Sequence, residues 1–412
     1  MGTGKSNDRI RVLFFDEAVA FGGSVVVLAH LFDHIDRTRF QPLLVTSLDE
    51  GSIRKLFRPE DVLCWYQPRL DYSDRMRWMT RCPSRLGLIR RLWAYAFTVA
   101  ATLLNLPRHV RLFYRVWKSG PAIVHINNGH EGLAAVRLFR FPMIIHLHGI
   151  SHDFLFGPFD TRVHTRAFVS ISKYITSQAI KYGVPPQRIL DIPNPAPVPA
   201  PSSVSDDAWR ERFKLPPDAV VFAHVGRLIR WKGQLEFLEA FAKMAPDCPH
   251  AYALIVGDDV EGFSTQYPQS LRDLVQHEGL TGRAVFAGHI DNILELMEFA
   301  DVVVHSSIDP EPFGLVITEA MSAGAAVIAA RLGAPIELID QGVTGMLVDP
   351  KDVTEFAAAL RELATDAPRR KQLALAGQLV AREKYSPQSF ARQMEAVYEK
   401  VARDVAGGER AP

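Results

Sequence analysis

The sequence predicts an α/β protein made of two doubly wound, Rossmann-like domains that face a cleft. Three observations support this fold class. Short apolar runs alternate with amphipathic helical stretches along most of the 412 residues, a proline-rich segment separates two halves of similar size, and 48% of the residues are hydrophobic while 23% are charged. This composition is typical of a folded protein with a sizeable core, and it excludes a disordered chain and a small disulfide-stapled scaffold.

Each half contains short runs rich in β-branched residues and bounded by glycine or polar turns, which is the pattern of buried strands in βαβ units. The runs of the first half are Ile10–Phe15, Leu43–Ser47, Ala122–Ile126, Met143–Leu147 and Ala167–Ile171. Those of the second half are Val220–Val225, Tyr252–Val256, Ala284–Ala287, Val302–His305, Ala326–Ala329 and Met346–Val348. Neither half shows the strict alternation of a one-sided antiparallel sheet, so we expect one parallel sheet in each.

The segment Ile192–Pro201 separates the halves and has five prolines in ten residues. Proline is incompatible with helix interiors and central strands, so this segment is predicted to be an extended linker. We therefore expect residues 1–195 to form the first domain and residues 196–387 to form the second. A ligand is expected in the cleft between them, at the carboxyl ends of the strands.

The segment DPEPFGLVITEAMSA, residues 309–323, carries the most informative candidate site residues. Prolines on both sides of Glu311 keep it outside a helix, and a helix is predicted to start at Phe313-Gly314 and to carry Glu319 about one turn in. Helix N-termini offer unpaired N–H groups and a partial positive charge, which suit a phosphate. Two carboxylates at this spacing can flank a bound phosphate ester, one near a sugar and one near a ribose. The alternative is two solvated glutamates at a helix start.

A second cluster, GRLIRWKGQ, follows the predicted strand Val220–Val225. Arg227 and Lys232 lie in the loop between that strand and a helix that opens near Gly233. Two cations beside a helix N-terminus can neutralise a diphosphate. Surface charges without a ligand are the alternative for such a pair.

The first half carries a glycine pair in the sequence AFGGS, residues 20–24, between the first strand and an amphipathic helix. This is the position of a phosphate loop in a nucleotide-binding fold, and Gly23 is the candidate contact. The G-x-G-x-x-G spacing is missing, which disfavours a plain dinucleotide site. A simple tight turn is the alternative.

Two histidines, His146 and His148, end the apolar run PMIIHLHG. Alternate residues on a strand point to the same face, so both side chains are expected on one face at the carboxyl end. A histidine there can donate or accept a proton in the cleft. Core histidines are the alternative, and no carboxylate at convincing spacing completes a metal site.

Taken together, the order and spacing of these clusters resemble the retaining, GT-B-fold glycosyltransferases of family 4 (glycosyl transferases group 1). The resemblance is densest over residues 219–350 and weakest over residues 50–118. It implies that Glu311 lies beside the donor sugar and that Glu319 binds the ribose hydroxyls. It likewise implies that Arg227 and Lys232 hold the diphosphate.

The resemblance implies further roles in the same site. Phe313, Gly314 and Leu315 form the helix start that receives the donor, Gly23 contacts the donor through its backbone, and His148 lies beside the donor sugar. It also implies that the C-terminal helix, about residues 388–412, packs back on the first domain. Four positions depart from the common pattern without affecting the charged residues: Val25, Pro195, Asp259 and Ala334.

The expected activity is transfer of a sugar from a nucleoside-diphosphate sugar to an acceptor hydroxyl with retention of the anomeric configuration. The resemblance implies a hexosyltransferase-type enzyme that needs no metal ion or other cofactor, with UDP favoured over GDP by its frequency in the family. The acceptor is expected to be a glycan or a lipid-linked saccharide, a precursor of a cell-surface polysaccharide. The alternatives are a sugar-nucleotide 2-epimerase on the same architecture and a catalytically silent homologue.

Charge and hydropathy suggest the cellular location. With 47 Lys and Arg against 46 Asp and Glu, the chain has no overall positive electrostatic field that would attract nucleic acid. Residues 69–118, however, hold eleven basic and two acidic residues together with Trp78, Trp93 and Trp117 and the 16-residue apolar run Leu92–Pro107. This run is too short to span a bilayer.

A basic segment with tryptophan and an apolar stretch is typical of an interfacial helix, which favours an anionic membrane surface as a partner. The alternative is a helical insertion packed on the first domain. The polar residues 1–8 show no signal peptide, and the three cysteines lack metal-type spacing. We expect a cytoplasmic protein that associates peripherally with the inner face of the membrane.

Overall fold

The computed structural model describes residues 9–17, 22–66, 87–128, 140–149, 165–259 and 266–407. The chain divides into two compact units. Unit 1 consists of Met1–Val169, Ile180–Leu190 and Ala391–Pro412, and unit 2 consists of Ser170–Ala179 and Asp191–Phe390. The boundary that the sequence places at residue 195 lies at residues 190–191, and the short segment Ser170–Ala179 belongs to unit 2.

Unit 1 is built on a seven-stranded sheet with the order β3-β2-β1-β4-β5-β6-β7. The strands are β1 (Ile10–Asp16), β2 (Phe40–Thr46), β3 (Val62–Trp65), β4 (Ile123–Asn128), β5 (Met143–Leu147), β6 (Thr165–Ser170) and β7 (Ile189–Asp191). Strand β1 pairs in parallel with β2 and with β4, as do β2 with β3 and β4 with β5. The strand order therefore reverses between β1 and β4, which makes this pair the topological switch point.

The helices of the first half begin with α1 (Gly23–His34), α2 (Glu50–Leu56), α3 (Gly87–Ser119) and α4 (Lys173–Lys181). Helix α3 has 33 residues and contains Pro107. Among the described residues, no helix combines the length and the apolar character that crossing a membrane requires.

Unit 2 is built on a six-stranded sheet with the order β10-β9-β8-β11-β12-β13. Its strands are β8 (Val220–Val225), β9 (Ala251–Val256), β10 (Ala284–Gly288), β11 (Val302–His305), β12 (Ala326–Ala330) and β13 (Met346–Val348). All five neighbouring pairs are parallel. The order reverses between β8 and β11, and the predicted class of two parallel-sheet, Rossmann-like α/β domains is confirmed.

The helices that follow along the chain are α5 (Asp206–Phe213), α6 (Gln234–Met244), α7 (Gln266–His277), α8 (Ile293–Phe299), α9 (Leu315–Ala323), α10 (Pro335–Leu338), α11 (Val353–Thr365), α12 (Ala367–Lys384) and α13 (Pro387–Ala406). All of them except α13 lie entirely within unit 2. In the core, Phe237 and Phe241 of α6 and Phe356 of α11 are fully buried. Burying side chains of this size supplies much of the stability of such a layer.

All eleven predicted strands are present, with end shifts of a few residues, while β3 and β7 were not predicted. Both are short strands at the edges of the unit 1 sheet. An edge strand has few core contacts and needs few apolar residues, so its sequence pattern predicts a strand only weakly.

The proline-rich segment Ile192–Pro201 lacks helix and strand, as predicted, but its first half is not a free linker. The amide of Ala196 donates to the carbonyl of Tyr385 at 2.7 Å, and Ser322 Oγ donates to the carbonyl of Pro197 at 2.7 Å. Asn194 is buried. Residues 192–197 are therefore packed within unit 2, which corrects the expectation of an extended linker there.

Helix α13 starts in unit 2 and passes into unit 1 at Ala391. Tyr398 is fully buried against β1 and β4, where its ring packs on the edge of Phe14 and its hydroxyl lies 2.7 Å from His125 Nδ1. A carboxylate oxygen of Glu395 accepts the amide of Asp36 at 2.7 Å. From Ala391 onward, the C-terminal helix is thus part of the unit 1 core.

Candidate functional site

The loops that follow β8 and β11 meet at the switch point of unit 2. The first loop carries Lys232 and the second carries Glu311, and the Lys232 Nζ atom lies 2.8 Å from Glu311 Oε2. Both side chains are largely buried, with exposed fractions of 17% and 12%. Two residues that the sequence predicted for one site, 79 positions apart, therefore form an ion pair in unit 2.

Glu311 is held through one carboxylate oxygen only. Besides Lys232, Oε2 accepts from His305 Nε2 at 3.2 Å and from Ser307 Oγ at 3.2 Å. Oε1 accepts no hydrogen bond from the described residues. Burial raises the pKa of this carboxyl, but the hydrogen bond from His305 and the charge of Lys232 outweigh it and lower the pKa to about 2. Glu311 is a carboxylate with one oxygen fixed and the other available.

The backbone around Glu311 is fixed from two sides. The amide of Ala334 donates to the Glu311 carbonyl at 3.0 Å, and Ser172 Oγ donates to the Pro312 carbonyl at 2.7 Å. Gly333 has φ +78°, and a Cβ there would lie 2.6 Å from the Glu311 carbonyl oxygen. Only glycine fits this close approach.

The Lys232 loop is fixed by groups at the ends of β8 and β11. His224 Nε2 donates to the Lys232 carbonyl at 3.1 Å, and Ser306 Oγ donates to the Gly233 carbonyl at 2.7 Å. Burial lowers the pKa of His224 to about 3, so this ring is neutral. Gly233 has φ +75°, and a Cβ there would clash with the Ser306 carbonyl, which explains a glycine at this turn.

Arg227 and Arg230 lie in the same loop but in different environments. Arg227 is exposed, and its side chain has no hydrogen-bond or ion-pair partner in the part of the chain that the structure describes. Arg230 forms a two-point pair with Glu236, with distances of 2.8 and 2.6 Å. Arg227 is therefore available to a ligand, while Arg230 is engaged in holding the loop to α6.

Helix α9 begins at Leu315, one residue after the predicted start at Phe313-Gly314. Gly314 is its N-cap and has φ +99°. The Phe313 side chain packs against the Tyr385 ring and the whole residue is buried, so this side chain is not available to a ligand. Glu319 lies in the second turn, and its carboxylate makes no hydrogen bond to the described residues. Burial raises its pKa to about 7.

The switch point of unit 1 carries a separate polar network. Asn128 Nδ2 at the end of β4 lies 2.7 Å from Asp16 Oδ1 at the end of β1 and 2.8 Å from Ser24 Oγ. Gly23 is the first residue of α1, with Gly22 as the N-cap. The remainder of the predicted glycine loop, residues 20–21, lies outside the described residues.

His148 belongs to this network. Asn127 uses its amide nitrogen toward Asp16 Oδ1, so its Oδ1 accepts from His148 Nε2 at 2.8 Å. Burial lowers the pKa of His148 to about 3, and the pKa of His146 is also lowered by burial, with the two rings 4.1 Å apart. At neutral pH His148 is therefore a neutral hydrogen-bonding group, whose Nδ1 carries the lone pair.

Several residues of these two networks were not predicted from the sequence. They are Asp16, Asn127, Asn128, His224, His305, Ser306 and Ser307. Each of them lies within two residues of the carboxyl end of a predicted strand. Parallel sheets bind ligands at that end, and this position was the available signal. In the described ranges, no three His, Cys, Asp or Glu side chains are grouped so as to hold a metal ion.

Comparison with protein-family models divides the chain in the same way. Residues 21–198 match the model described as Glycosyltransferase Family 4, and residues 205–380 match the model described as Glycosyl transferases group 1. Between them the two models cover most of the chain.

Curated relatives match over part of their length. The chain is 34% identical over 174 residues to a D-inositol 3-phosphate glycosyltransferase of Stackebrandtia nassauensis, covering 40% of this chain and 39% of that protein. It is 30% identical over 189 residues to an N-acetyl-alpha-D-glucosaminyl L-malate synthase of Bacillus anthracis, covering 46% and 48%. The matched segments thus span half or less of these two relatives.

Solved structures show the same fold. Anabaena HepE in complex with UDP and glucose superposes with a TM-score of 0.77 at 23% identity, covering 95% of this chain and all of that one. A glycosyltransferase of Rickettsia africae superposes with a TM-score of 0.74 at 16% identity, covering 96% and 99%. With the two family models and the two parallel sheets, these likenesses show that the chain belongs to the GT-B-fold glycosyltransferases of family 4 (glycosyl transferases group 1).

Proposed function

We propose that this chain is a retaining, metal-independent hexosyltransferase that moves a sugar from a nucleoside-diphosphate sugar to an acceptor hydroxyl. The observation that carries the proposal is the Lys232–Glu311 pair at the carboxyl ends of β8 and β11. One carboxylate oxygen of Glu311 accepts three hydrogen bonds, and the other has no partner among the described residues. A paired cation and carboxylate suit the two charges of the reaction: an anionic diphosphate that leaves and a sugar carbon that becomes positive.

The cations of unit 2 are assigned to the diphosphate. Arg227 is exposed without a partner in the described chain, Lys232 is fixed by the His224 contact to its carbonyl, and the N-terminus of α9 at Gly314-Leu315 presents N–H groups. Donors that are already oriented stabilise the charge that develops on the leaving diphosphate without reorganisation. Removal of one such donor usually costs about a hundredfold in rate.

Glu311 is assigned to the donor sugar as a charge-stabilising group rather than a nucleophile. A carboxylate with a pKa of about 2 and three donors on one oxygen is a weak nucleophile, and it favours a positive charge nearby. We therefore favour a same-face substitution. The bond from the sugar carbon to the diphosphate oxygen breaks, the acceptor oxygen bonds to that carbon on the same face, and the acceptor proton passes to the leaving diphosphate oxygen.

Glu319, Gly23 and His148 receive the remaining roles. Glu319 accepts hydrogen bonds from the ribose hydroxyls, since its carboxylate has no competing partner among the described residues. Gly23 contributes backbone contacts at the start of α1. Neutral His148, oriented by Asn127, offers Nδ1 as an acceptor to a sugar hydroxyl.

The donor base is proposed to be uridine. In support, the structurally similar HepE was crystallised in complex with UDP and glucose. The names of three relatives mention D-inositol 3-phosphate, L-malate and lipopolysaccharide core biosynthesis. For this chain we propose an acceptor glycan or lipid-linked saccharide used in polysaccharide biosynthesis, with the cytoplasm as the location.

The exposed surface of helix α3 supports the proposal that the acceptor is bound to a membrane. Five side chains at spacings of three or four residues are at least half exposed, and they form one apolar face: Leu103, Leu106, Val110, Tyr114 and Trp117. Arg111 and Lys118 border that face. An apolar helix face with a basic edge fits the interface of an anionic bilayer. The basic residues from Arg69 to Arg85 and Trp78 lie outside the described residues.

The test is incubation with a panel of nucleotide sugars, with and without acceptor lipids, and with a metal chelator. Release of one nucleoside diphosphate that depends on an acceptor, with the anomeric configuration kept in the product, is expected. Loss of activity on chelation would exclude a metal-independent reaction. An epimerised sugar nucleotide formed without release would favour a 2-epimerase instead.

A further inference from the structure

A cavity of about 440 Å³ lies in unit 1, at the end of β3 and beside α3. It is separate from the switch-point network of that unit. Its lining consists of Cys64, Trp65, Tyr66, Arg108, Arg111, Leu112 and Arg115. Three of the seven lining residues are arginines, and we call this cavity the arginine pocket.

The three arginines share one side of α3 because they are spaced by three and four residues. Arg115 donates to the carbonyl of Leu63 at 3.0 Å. Nη1 of Arg108 is enclosed and has no hydrogen-bond partner among the described residues. A guanidinium nitrogen that is withdrawn from water without an acceptor is costly, and an anion in the pocket would compensate it.

No carboxylate supplies that compensation in the described part of the chain. Helix α3 contains no Asp or Glu over its 33 residues, and neither does β3. The nearest acidic residue along the chain before β3, Asp61, is already paired with Arg37 at 2.7 Å. The pocket therefore carries a local charge of about three positive units that the described chain leaves uncompensated.

The lining residues indicate what kind of anion fits. Guanidinium forks bind phosphate oxygens in pairs, and three of them match a diphosphate better than a single carboxylate. Trp65 belongs to the lining and is 42% exposed, which provides an aromatic surface for an apolar or sugar group attached to the phosphate. The lining also includes Tyr66, whose ring is stacked on that of His109 with the ring centres 5.5 Å apart.

We propose that the arginine pocket binds a phosphate or diphosphate group of the acceptor substrate. This inference rests on the proposed function and gives the acceptor a chemical class. The donor diphosphate is assigned to Arg227 and Lys232 of unit 2, so a second phosphate-binding site in unit 1 serves a different substrate. The apolar face of α3 lies on the helix that carries the pocket, and a phosphate-linked lipid would use both.

The test is calorimetric titration of inorganic pyrophosphate into the full-length protein with UDP at saturation, so that the donor site is occupied. Wild-type protein is expected to bind pyrophosphate, and Arg108→Gln and Arg111→Gln are each expected to weaken this binding by about tenfold or more. Lys118→Gln removes the same charge from α3 outside the pocket and is expected to leave the affinity within about twofold. Arg111 is exposed, so its variant keeps the test valid if Arg108→Gln does not fold.

Two comparisons separate the possible outcomes. UDP binding measured on the same proteins reports on unit 2: if UDP binds while pyrophosphate does not, the arginine pocket proposal is overturned and the donor site is retained. An equal loss for Lys118→Gln and the pocket variants would also overturn it, because binding would then reflect diffuse charge.

The source of the phosphate is distinguished with phosphatidylcholine vesicles prepared with and without a polyprenyl diphosphate. Arg108-dependent binding to the diphosphate vesicles identifies a lipid-linked acceptor. Arg108-dependent binding of free pyrophosphate without any gain on those vesicles identifies a soluble phosphorylated acceptor. Both results support a phosphate site.

Discussion

Lys232 and Glu311 form an ion pair of 2.8 Å at the switch point of unit 2, and the proposed function gives each of them a separate role toward the donor. In the absence of donor, the positive charge of Lys232 and the negative charge of Glu311 neutralise each other, so neither charge is buried without a partner. The pair therefore stabilises an arrangement that, under the proposed function, receives a diphosphate and a cationic sugar carbon. It also means that removing either residue affects stability as well as chemistry.

We predict that Lys232→Ala lowers both the rate and the stability, whereas Arg227→Ala lowers only the rate. Each is expected to cost about a hundredfold in kcat/KM through the lost diphosphate contact. Lys232→Ala also leaves the Glu311 charge without its cation, which should lower the free energy of unfolding by about 2 kcal/mol. Steady-state kinetics and urea unfolding measure the two effects.

Arg230→Gln is the matched control for this pair of variants. Arg230 lies in the same loop but is paired with Glu236. Its removal is expected to leave kcat/KM unchanged within about twofold. A hundredfold loss for Arg230→Gln would show that the loop as a whole, rather than its two assigned cations, determines the rate.

The pH dependence of stability should show opposite contributions from the two glutamates. The pKa of Glu311 is lowered to about 2, so its contribution is present above pH 4.5 and is lost as the pH falls from 4.5 to 2. The pKa of Glu319 is raised to about 7, so the folded state holds a proton that the unfolded state has lost, and stability falls as the pH rises from 4.5 to 7.

Glu319→Gln removes that second contribution. It is expected to raise the free energy of unfolding at pH 8 by up to about 3 kcal/mol and to leave it unchanged at pH 4. Thermal unfolding followed across this pH range tests it. An equal effect of Glu319→Gln at both pH values would contradict a buried, titrating carboxyl.

Donor binding should also report the protonation of Glu319. The ribose hydroxyls are proposed to donate to an ionised Glu319, and this carboxyl is protonated in the free protein below pH 7. UDP affinity is therefore expected to fall by up to about tenfold per pH unit below pH 7. In Glu319→Gln, UDP should bind more weakly at pH 8 and lose this pH dependence, which titration calorimetry at several pH values would measure.

Local spacing made the candidate site residues of unit 2 identifiable from the sequence. Glu311, Gly314 and Glu319 lie within one turn-and-helix segment, and Arg227 and Lys232 lie in one loop, so each group could be identified without knowing the tertiary structure. The partners of Glu311 were harder to foresee. His305 and Ser307 looked like the end of a buried strand, and only the folded loop brings them to the carboxylate.

The unit 1 network was beyond sequence reasoning for a different reason. Asp16 and Asn128 are 112 residues apart and meet because β4 lies beside β1 in the sheet. The sequence predicted both strands but not their order. The depressed pKa of His148 likewise follows from burial, which a position at the end of a strand does not determine.

Asn127 is predicted to be a positioning residue for His148. Its Oδ1 accepts from Nε2, which selects the neutral tautomer with a lone pair on Nδ1. Asn127→Ala should give a mixture of tautomers and lower kcat while KM for the donor changes little. The ¹⁵N shifts of the His148 ring would show the tautomer directly, and unchanged shifts in Asn127→Ala would disprove the assignment whatever the activity.

The last prediction concerns the apolar face of α3 and an anionic membrane. Leu103 and Leu106 are 65% and 50% exposed on that face, and Leu375 and Leu379 of α12 are 61% and 52% exposed in unit 2. The two pairs match in residue type and exposure. Two double variants therefore remove equally exposed leucine side chains from different helices: Leu103→Asn/Leu106→Asn and Leu375→Asn/Leu379→Asn. Burying one leucine side chain is worth about 1.5–3 kcal/mol, so the α3 variant is expected to bind anionic vesicles at least tenfold more weakly, with the α12 variant unchanged.

Flotation with phosphatidylglycerol and with phosphatidylcholine vesicles at low salt measures this difference. Wild-type protein is expected to float with the anionic vesicles and to lose this binding as salt is raised, because Arg111 and Lys118 border the apolar face. Equal loss in the two double variants would show that α3 is not the contact. Negligible binding of wild-type protein to both vesicle types would mean that the exposed face of α3 serves a soluble partner, and the acceptor would then be a soluble glycan.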